Sequence, residues 1–299
     1  MTRKTYTAFY LLFAGVVVLS SGYLGNTWAQ ASDHAIRHVR VLETDNFFDV
    51  VNLDGVVFPP HANTVLVLDQ PRIDAATIVF IPQGGMPGDP ENLSLEIADP
   101  INITFDSRGN RLFFFERKSG DLLVTKLGRK ALNAKAIEHF NSQALGLEWP
   151  NGMAVDPHTG TLFVLDRVGP MIVEIDPGPT KNYDGAAALT EGRITKRFLI
   201  KKKQDEIRGL AFNPATGRLY TMSPKRQQLY EIAEDGQLID AGSFSETGWI
   251  DPKGIIFAPS LDQTDDPGRM NLYIASAGGP SGHVSEWFVT PSVEDGTQQ

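Results

Sequence analysis

The sequence of 299 residues contains no cysteine. This absence excludes disulfide bonds, thiolate metal sites and cysteine nucleophiles together, so packing alone must stabilise the fold. Histidine is scarce as well, and the spacing of the six histidines does not suggest two metal ligands on one element. The sequence also has no glycine-rich phosphate-binding loop, and Ser281 lacks the Gly-x-Ser-x-Gly frame of serine hydrolases.

Positive charge is also in short supply. The chain has 27 lysines and arginines against 36 acidic residues, which gives a formal net charge of −9. Such a surface repels phosphates and anionic lipid head groups, so neither nucleic acid nor a membrane surface is an expected partner. The hydrophobic fraction of 41% is nevertheless ordinary for a globular chain and is enough for a full core.

The first 31 residues have the composition of an export signal. Arg3 and Lys4 precede an apolar run at 8–19, and a stretch of small residues ends at Ala31. This order predicts a signal peptide over 1–31, a single domain over 32–299, and a periplasmic or extracellular location. The alternative is an uncleaved anchor, since 6–24 is just long enough to cross a bilayer. If the leader is cleaved, we expect a monomer without a membrane tether.

Five copies of one unit follow the leader. Each copy opens with a short apolar strand whose first residue is glycine or asparagine, at 55–58, 102–105, 152–155, 209–212 and 254–257. A tight turn comes next, best seen at 156–160 and 213–217, where proline and glycine favour a hairpin. Second strands are expected at 65–68, 112–115, 162–165, 219–222 and 272–275.

The copies continue with a third strand and a more polar fourth strand. Third strands are expected at 78–81, 122–125, 171–175, 229–232 and 284–288, and fourth strands at 93–97, 137–140, 194–200 and 238–244. The fifth copy has no fourth strand of its own, and the strand at 38–42 is a candidate for its place. The pattern predicts an all-β protein, a β-propeller of five four-stranded blades closed by this N-terminal strand. Six blades are the alternative.

The amino-acid sequence of the repeats resembles that of the broad superfamily of NHL-type, SdiA-regulated and gluconolactonase-like propellers. Residues 151–157 with 161–166, Asn-Gly-Met-Ala-Val-Asp-Pro and Thr-Leu-Phe-Val-Leu-Asp, are the closest match. Residues 208–214 with 217–220, Arg-Gly-Leu-Ala-Phe-Asn-Pro and Gly-Arg-Leu-Tyr, are similar to the SdiA-regulated type. The resemblance covers nearly all of the chain after the leader, and it implies a fold more than a chemistry.

The residues before the strand glycines are candidate site residues at one mouth of the central channel. They are Asp54, Asn151, Arg208 and Lys253, and Ile101 is the equivalent residue of the second copy. In gluconolactonase-like propellers the Pro-Asn-Gly sequence supplies a metal-ligating asparagine, so the resemblance makes Asn151 a candidate ligand, together with Asp54 at the equivalent position of the first copy. It also makes the protein a candidate metal-dependent lactonase or esterase. Two cations on the same rim would repel a divalent metal. The alternative is that Asn151 serves only the turn before Gly152.

Two further interpretations of this rim stay open. Arg208 and Lys253 would suit an anionic small ligand, because arginine offers a planar fork to a carboxylate or phosphate. Alternatively, Asp54 forms an internal ion pair with one of the two cations.

A second candidate site is the loop at 261–268. Asp262, Asp265 and Asp266 place three carboxylates close together on a loop that contains glycine, which suits Ca²⁺ or another divalent cation. A solvated loop whose aspartates cap their own turns is the alternative. The leading functional interpretation is therefore an exported binding module without a cofactor, whose partner is a small molecule, a glycan or a protein.

Overall fold

In the computed structural model, the described residues form an all-β propeller of five four-stranded blades. The described residues are 36–43, 53–59, 64–72, 75–82, 92–95, 99–116, 119–126, 137–178, 193–201, 206–244, 251–262, 264–266, 268–277 and 282–290. The leader predicted for 1–31 lies outside them. No helix within the described ranges is long and apolar enough to cross a membrane.

The strands follow the repeat copy by copy. Blade 1 contains β2 (Leu53–Val57), β3 (Thr64–Arg72), β4 (Ala75–Pro82) and β5 (Asn92–Leu95). Blade 2 contains β6 (Pro100–Asp106), β7 (Arg111–Glu116), β8 (Asp121–Lys126) and β9 (Glu138–Asn141), which a short 3-10 helix at Ser142–Leu145 follows. Blade 3 contains β10 (Pro150–Val155), β11 (Leu162–Asp166), β12 (Met171–Ile175) and β13 (Ile194–Leu199).

The last two blades complete the ring. Blade 4 contains β14 (Arg208–Asn213), β15 (Arg218–Ser223), β16 (Gln228–Ile232) and β17 (Leu238–Ser243). Blade 5 contains β18 (Pro252–Pro259), β19 (Met270–Ser276) and β20 (His283–Val289), and β1 (Ile36–Glu43) is its outer strand. The predicted closure by the N-terminal strand and the count of five blades are both confirmed.

Short polar side chains fix the hairpins between the first two strands of a blade. Asp156 accepts hydrogen bonds from the backbone N–H of His158 at 2.8 Å and the hydroxyl of Thr159 at 2.7 Å. Asn213 accepts one from the N–H of Ala215 at 3.0 Å. Each of these turns ends in a glycine with positive φ, which a side chain would disfavour. We call the side of the ring that carries these turns the hairpin face, and the opposite side, where one blade connects to the next, the connection face.

A buried carboxylate ties β1 to the last blade. Glu286 on β20 is fully buried, and Arg40 on β1 lies opposite it, with Nε 2.8 Å from the carboxylate. Asn271 donates to the other oxygen of Glu286 at 2.6 Å, and Ser260 Oγ lies 3.2 Å from that oxygen. Burial and the Glu286 carboxylate raise the pKa of Tyr273 above its ordinary value. The only cation that pairs with Glu286 among the described residues comes from the N-terminal strand.

The five inner strands meet at a constriction around the axis. A Cβ added to Gly152 would lie 2.7 Å from the backbone of Gly209 in the next blade. A Cβ added to Gly254 would lie 3.0 Å from Cα of Gly55 and 3.2 Å from Oδ1 of Asn102, which belongs to a non-neighbouring blade. These positions therefore have no room for a methyl group, and the axial channel is narrow there.

We expect Arg40→Met to lower the free energy of unfolding by about 3 kcal/mol, because it leaves the buried Glu286 without a cation. Urea unfolding measures the change. Arg37→Met is the matched control on the same strand, since its guanidinium is exposed and only approaches the Phe288 ring at 5.9 Å. The control should change stability by no more than about 0.5 kcal/mol. Equal losses in the two variants would contradict this role of Arg40.

We expect Gly152→Ala to cost about 3 kcal/mol or more, because the new methyl group overlaps the backbone of the next blade. Gly169→Ala is the comparison. Gly169 has a φ of +63°, and a Cβ there meets nothing within 4 Å. It should cost only about 1–2 kcal/mol, the strain of a left-handed residue. Thermal or urea unfolding that ranks the two variants in the opposite order would show that the constriction is not tight.

Candidate functional site

The rim on the connection face is built on a capped connection between blades 2 and 3. The Asp166 carboxylate, buried at the end of β11, accepts hydrogen bonds from the backbone N–H groups of Glu148, Trp149 and Val168 at 2.6, 3.1 and 2.9 Å. These bonds fix the chain that leads into β10. The position of Asn151, the second residue of β10, follows from them.

Each inner strand has a β-bulge where it passes the constriction. The extra residue is Asp54 in blade 1, Asn151 in blade 3 and Lys253 in blade 5, as their strand registers show. In blade 2 the bulge falls one residue later, at Asn102, whose φ is +56°. In blade 4 it falls after Arg208, where Gly209 has a φ of +70°. The residue before the opening glycine is therefore the bulged residue in blades 1, 3 and 5, whereas in blades 2 and 4 the bulge lies one residue later.

Two of the predicted rim residues are largely withdrawn from solvent. Asn151 is half-buried, and its Nδ2 donates to the carbonyl oxygen of Ile207 at 2.8 Å, which joins blade 3 to the connection before blade 4. Asp54 is only 8% exposed. Asn151 thus holds two neighbouring blades together in addition to occupying its bulge.

The two predicted cations of the rim are brought together by an acid that the repeat alignment does not single out. Arg208 Nη1 donates to Asp251 Oδ1 at 2.7 Å, and Lys253 Nζ lies 2.8 Å from Asp251 Oδ2. Arg208 Nη2 also donates to Glu206 at 2.9 Å. Both acids precede their cation by two residues, which is the one signal in the sequence that could have found them. The pairing lowers the positive charge that this rim offers to an anion.

Asn102 also reaches the axis, and the alignment placed Ile101 there instead. Its Oδ1 accepts a hydrogen bond from the N–H of Ile103 at 2.8 Å, which fixes the orientation of the amide. Its Nδ2 is buried and has no hydrogen-bond partner among the described residues. The Asn102 amide therefore brings its oxygen to the constriction and keeps an unbonded donor in the interior beside it.

The rim does not fit the divalent metal of a lactonase. Such an ion needs several oxygen ligands that converge on one point. Of the four predicted rim residues, only Asp54 is a carboxylate, the Asn151 amide is engaged with Ile207, and Arg208 and Lys253 are cations. The described residues contain no group of three or more acidic or histidine side chains that could hold a metal.

The three aspartates of the acidic loop bond separately within the loop. Asp262 accepts from the N–H and hydroxyl of Thr264 at 2.9 and 2.7 Å, and these bonds, with the Arg40 charge, lower its pKa. Asp265 accepts from the Ser260 hydroxyl at 2.7 Å, and Asp266 accepts from the N–H of Gly268 at 2.9 Å. This geometry matches aspartates that cap their own turns.

A cavity of about 300 Å³ lies on the axis, between the constriction and the hairpin face. All five blades line it with residues that follow the constriction in sequence, among them Phe58 directly after β2, Phe105, Val155, Phe212 and Ile256. Its polar side chains are Thr104, Ser107 and His158. We call it the axial cavity.

A larger groove of about 930 Å³ opens between blades 3 and 4. Phe163, Phe198 and Phe212 line it together with Glu174 and Lys196. We call it the blade 3–4 groove, and Phe212 is a wall of both spaces. Neither space was predicted from the repeat pattern, which specifies strands and not the volumes left between them.

Comparisons with known proteins support the fold and identify no family. No protein-family model and no curated protein matches the chain. Solved structures do resemble it at low identity. A glucose dehydrogenase is 9% identical with a TM-score of 0.50, and the match covers 84% of this chain and 99% of that one. A luciferin-regenerating enzyme is 14% identical with a TM-score of 0.49, covering 84% and 96% of the two chains.

A gluconolactonase from Xanthomonas campestris is 14% identical with a TM-score of 0.46, and the match covers 85% of this chain and 95% of that one. This chain is thus distantly similar in structure to six-bladed β-propellers, although it has five blades itself. At such identities the likeness extends to the fold alone.

Proposed function

We propose that this protein is an exported binding protein whose axial cavity takes a small, largely apolar molecule. The observation that carries the proposal is the cavity itself, a concave space of about 300 Å³ to which all five blades contribute. Ligand sites in proteins are concave, mostly apolar and within this range of size, with a few polar groups that orient the ligand.

The lining of the axial cavity favours an apolar ligand over a charged one. Its walls are phenylalanine, isoleucine, valine, alanine, methionine and proline side chains, and it contains no carboxylate, lysine or arginine among its described lining residues. A charged ligand would lose its hydration without gaining an ionic partner there, whereas an apolar ligand gains free energy from each unit of area removed from water. Thr104, Ser107 and His158 offer hydrogen bonds to one polar group of such a ligand.

The cellular location and the net charge of the protein are part of the proposal. The leader over 1–31 supports export to the periplasm or beyond, where a monomer with net negative charge meets small solutes rather than nucleic acids. The resemblance to NHL-type, SdiA-regulated and gluconolactonase-like propellers is compatible with binding. The proposal does not include the lactonase activity that this resemblance also implies, because the rim residues do not fit the metal that such a reaction would need.

Fluorescence titration with N-phenyl-1-naphthylamine, an uncharged and apolar dye, tests the proposal. We expect saturable binding at one site per chain with a Kd below about 300 µM, since a gain of about 0.3 kcal/mol per non-hydrogen atom gives this dye about 5 kcal/mol. Ser107→Trp places a large side chain on the lining, and we expect it to weaken dye binding about tenfold or more.

Val168→Trp is the matched control, because Val168 is 50% exposed on the connection face, away from the cavity. It should leave the dye affinity unchanged. A dye signal that does not saturate, or that Ser107→Trp does not affect while its thermal unfolding stays like that of the parent, would refute binding in the axial cavity.

A further inference from the structure

We infer that the blade 3–4 groove is a second binding site, separate from the axial cavity, and that its ligand is a neutral saccharide. The groove has about three times the volume of the axial cavity and opens along the hairpin face between β11–β13 of one blade and β14–β17 of the next. Its lining differs in kind, since it combines aromatic rings with charged side chains of both signs.

Aromatic rings form one wall of the groove. Phe163 and Phe212 lie nearly parallel, with ring centroids 5.9 Å apart and an angle of 7° between the ring planes. Phe198 lies beside them on β13 and is only partly buried. The face of an aromatic ring carries partial negative charge and attracts the C–H groups on the face of a sugar ring. Such rings therefore suit a flat pyranose better than a branched apolar group.

The groove also contains a lysine that forms no ion pair with any described residue. Lys196 Nζ lies 5.1 Å from the centroid of the Phe198 ring and 3.3 Å from the carbonyl oxygen of Glu234. Within the described part of the chain, no carboxylate lies within 4 Å of this ammonium group. At least two of its three hydrogens remain available to a ligand.

A carboxylate that pairs with no cation of the described residues lies in the same groove. Glu174 stands directly opposite Lys196 in the pairing of β12 with β13. Its carboxylate accepts a hydrogen bond from the Thr195 hydroxyl at 2.9 Å and, among the described residues, has no lysine or arginine partner. The groove thus offers a strong donor and a strong acceptor that are close together and not paired with each other.

Arg218 and Glu231, the other ionic pair of the groove, are already engaged. Arg218 pairs directly with the buried Glu231, and Tyr220 donates its hydroxyl to the same carboxylate at 3.0 Å. Burial and the charge of Glu231 raise the pKa of Tyr220 above its ordinary value. These residues form a fixed wall and leave Lys196 and Glu174 as the groups that can meet a ligand.

Lys196 and Glu174 together favour an uncharged ligand. An anion would gain from Lys196 but be repelled by Glu174, and a cation would meet the reverse. A neutral polyol satisfies both, because each hydroxyl can donate to the carboxylate and accept from the ammonium group. Together with the aromatic wall, this chemistry points to an uncharged sugar chain.

Isothermal titration of the full chain with cellohexaose, maltohexaose, xylohexaose and chitohexaose tests the inference. We expect at least one of them to bind with a Kd below about 1 mM. We expect Lys196→Ala to weaken that binding about tenfold or more, the usual effect of losing a hydrogen bond to a charged group. Phe198→Leu, which keeps an apolar side chain but removes the ring, should weaken it as well.

Arg197→Ala is the matched control, since Arg197 is the neighbouring cation on β13 and its guanidinium approaches Gly146 rather than the groove. It should leave the Kd unchanged. The inference fails if none of the four oligosaccharides binds, or if Lys196→Ala and Arg197→Ala have the same effect. It also fails if hexagalacturonic acid or hexaglucosamine, the charged counterparts, binds more tightly than the neutral chains. Dye binding in the axial cavity is measured separately, so either site can fail without the other.

Discussion

The ring exists because a strand from one end of the described chain completes a sheet made by the other end. Without β1, the last blade would have only three strands and β20 would be its exposed outer edge. Hydrogen bonds along a ladder do not by themselves choose a partner or a register. The buried Glu286 does so, because only one register of β1 places Arg40 beside it.

A glutamate stands at the equivalent position of one strand in blades 3, 4 and 5, and its charged partner differs from blade to blade. Glu174, Glu231 and Glu286 each stand opposite an aromatic residue in the second strand of their blade, namely Phe163, Tyr220 and Tyr273. Arg218 from the same blade pairs with Glu231, and Arg40 from the N-terminal strand pairs with Glu286. In blade 3 the aromatic residue has no hydroxyl and the glutamate has no arginine partner among the described residues. Its carboxylate faces the blade 3–4 groove as a result, which shows how one repeat unit supplies both structural and ligand-facing groups.

Much of the fold could be predicted from the sequence, because a repeated unit reports the same strands several times. The opening glycines, the turns at Asp156 and Asn213 and the closing strand near His38 all lie where the pattern placed them. The rim was harder to predict. The bulge moves by one residue in blades 2 and 4, so the alignment chose Ile101 where Asn102 reaches the axis. Asp251 stands outside the repeated strands, and only the structure shows that it pairs with both cations.

The two spaces could not be predicted for a different reason. A cavity is what remains after side chains from several strands have packed, and its size depends on differences of a few ångströms between blades that the sequence describes in the same terms. The alternation of apolar residues tells which side chains are buried. It does not tell where burial is incomplete, as it is at Phe105 and Phe212.

The constriction at the strand glycines makes the axial cavity a dead end. Neighbouring backbones there leave no space for a methyl group, so a molecule large enough to occupy about 300 Å³ cannot traverse the ring from one face to the other. Arrival and departure must share a single mouth on the hairpin face. The loops around that mouth consequently govern both how fast the cavity fills and how long it stays occupied, while the opposite face is free to diverge without touching either rate.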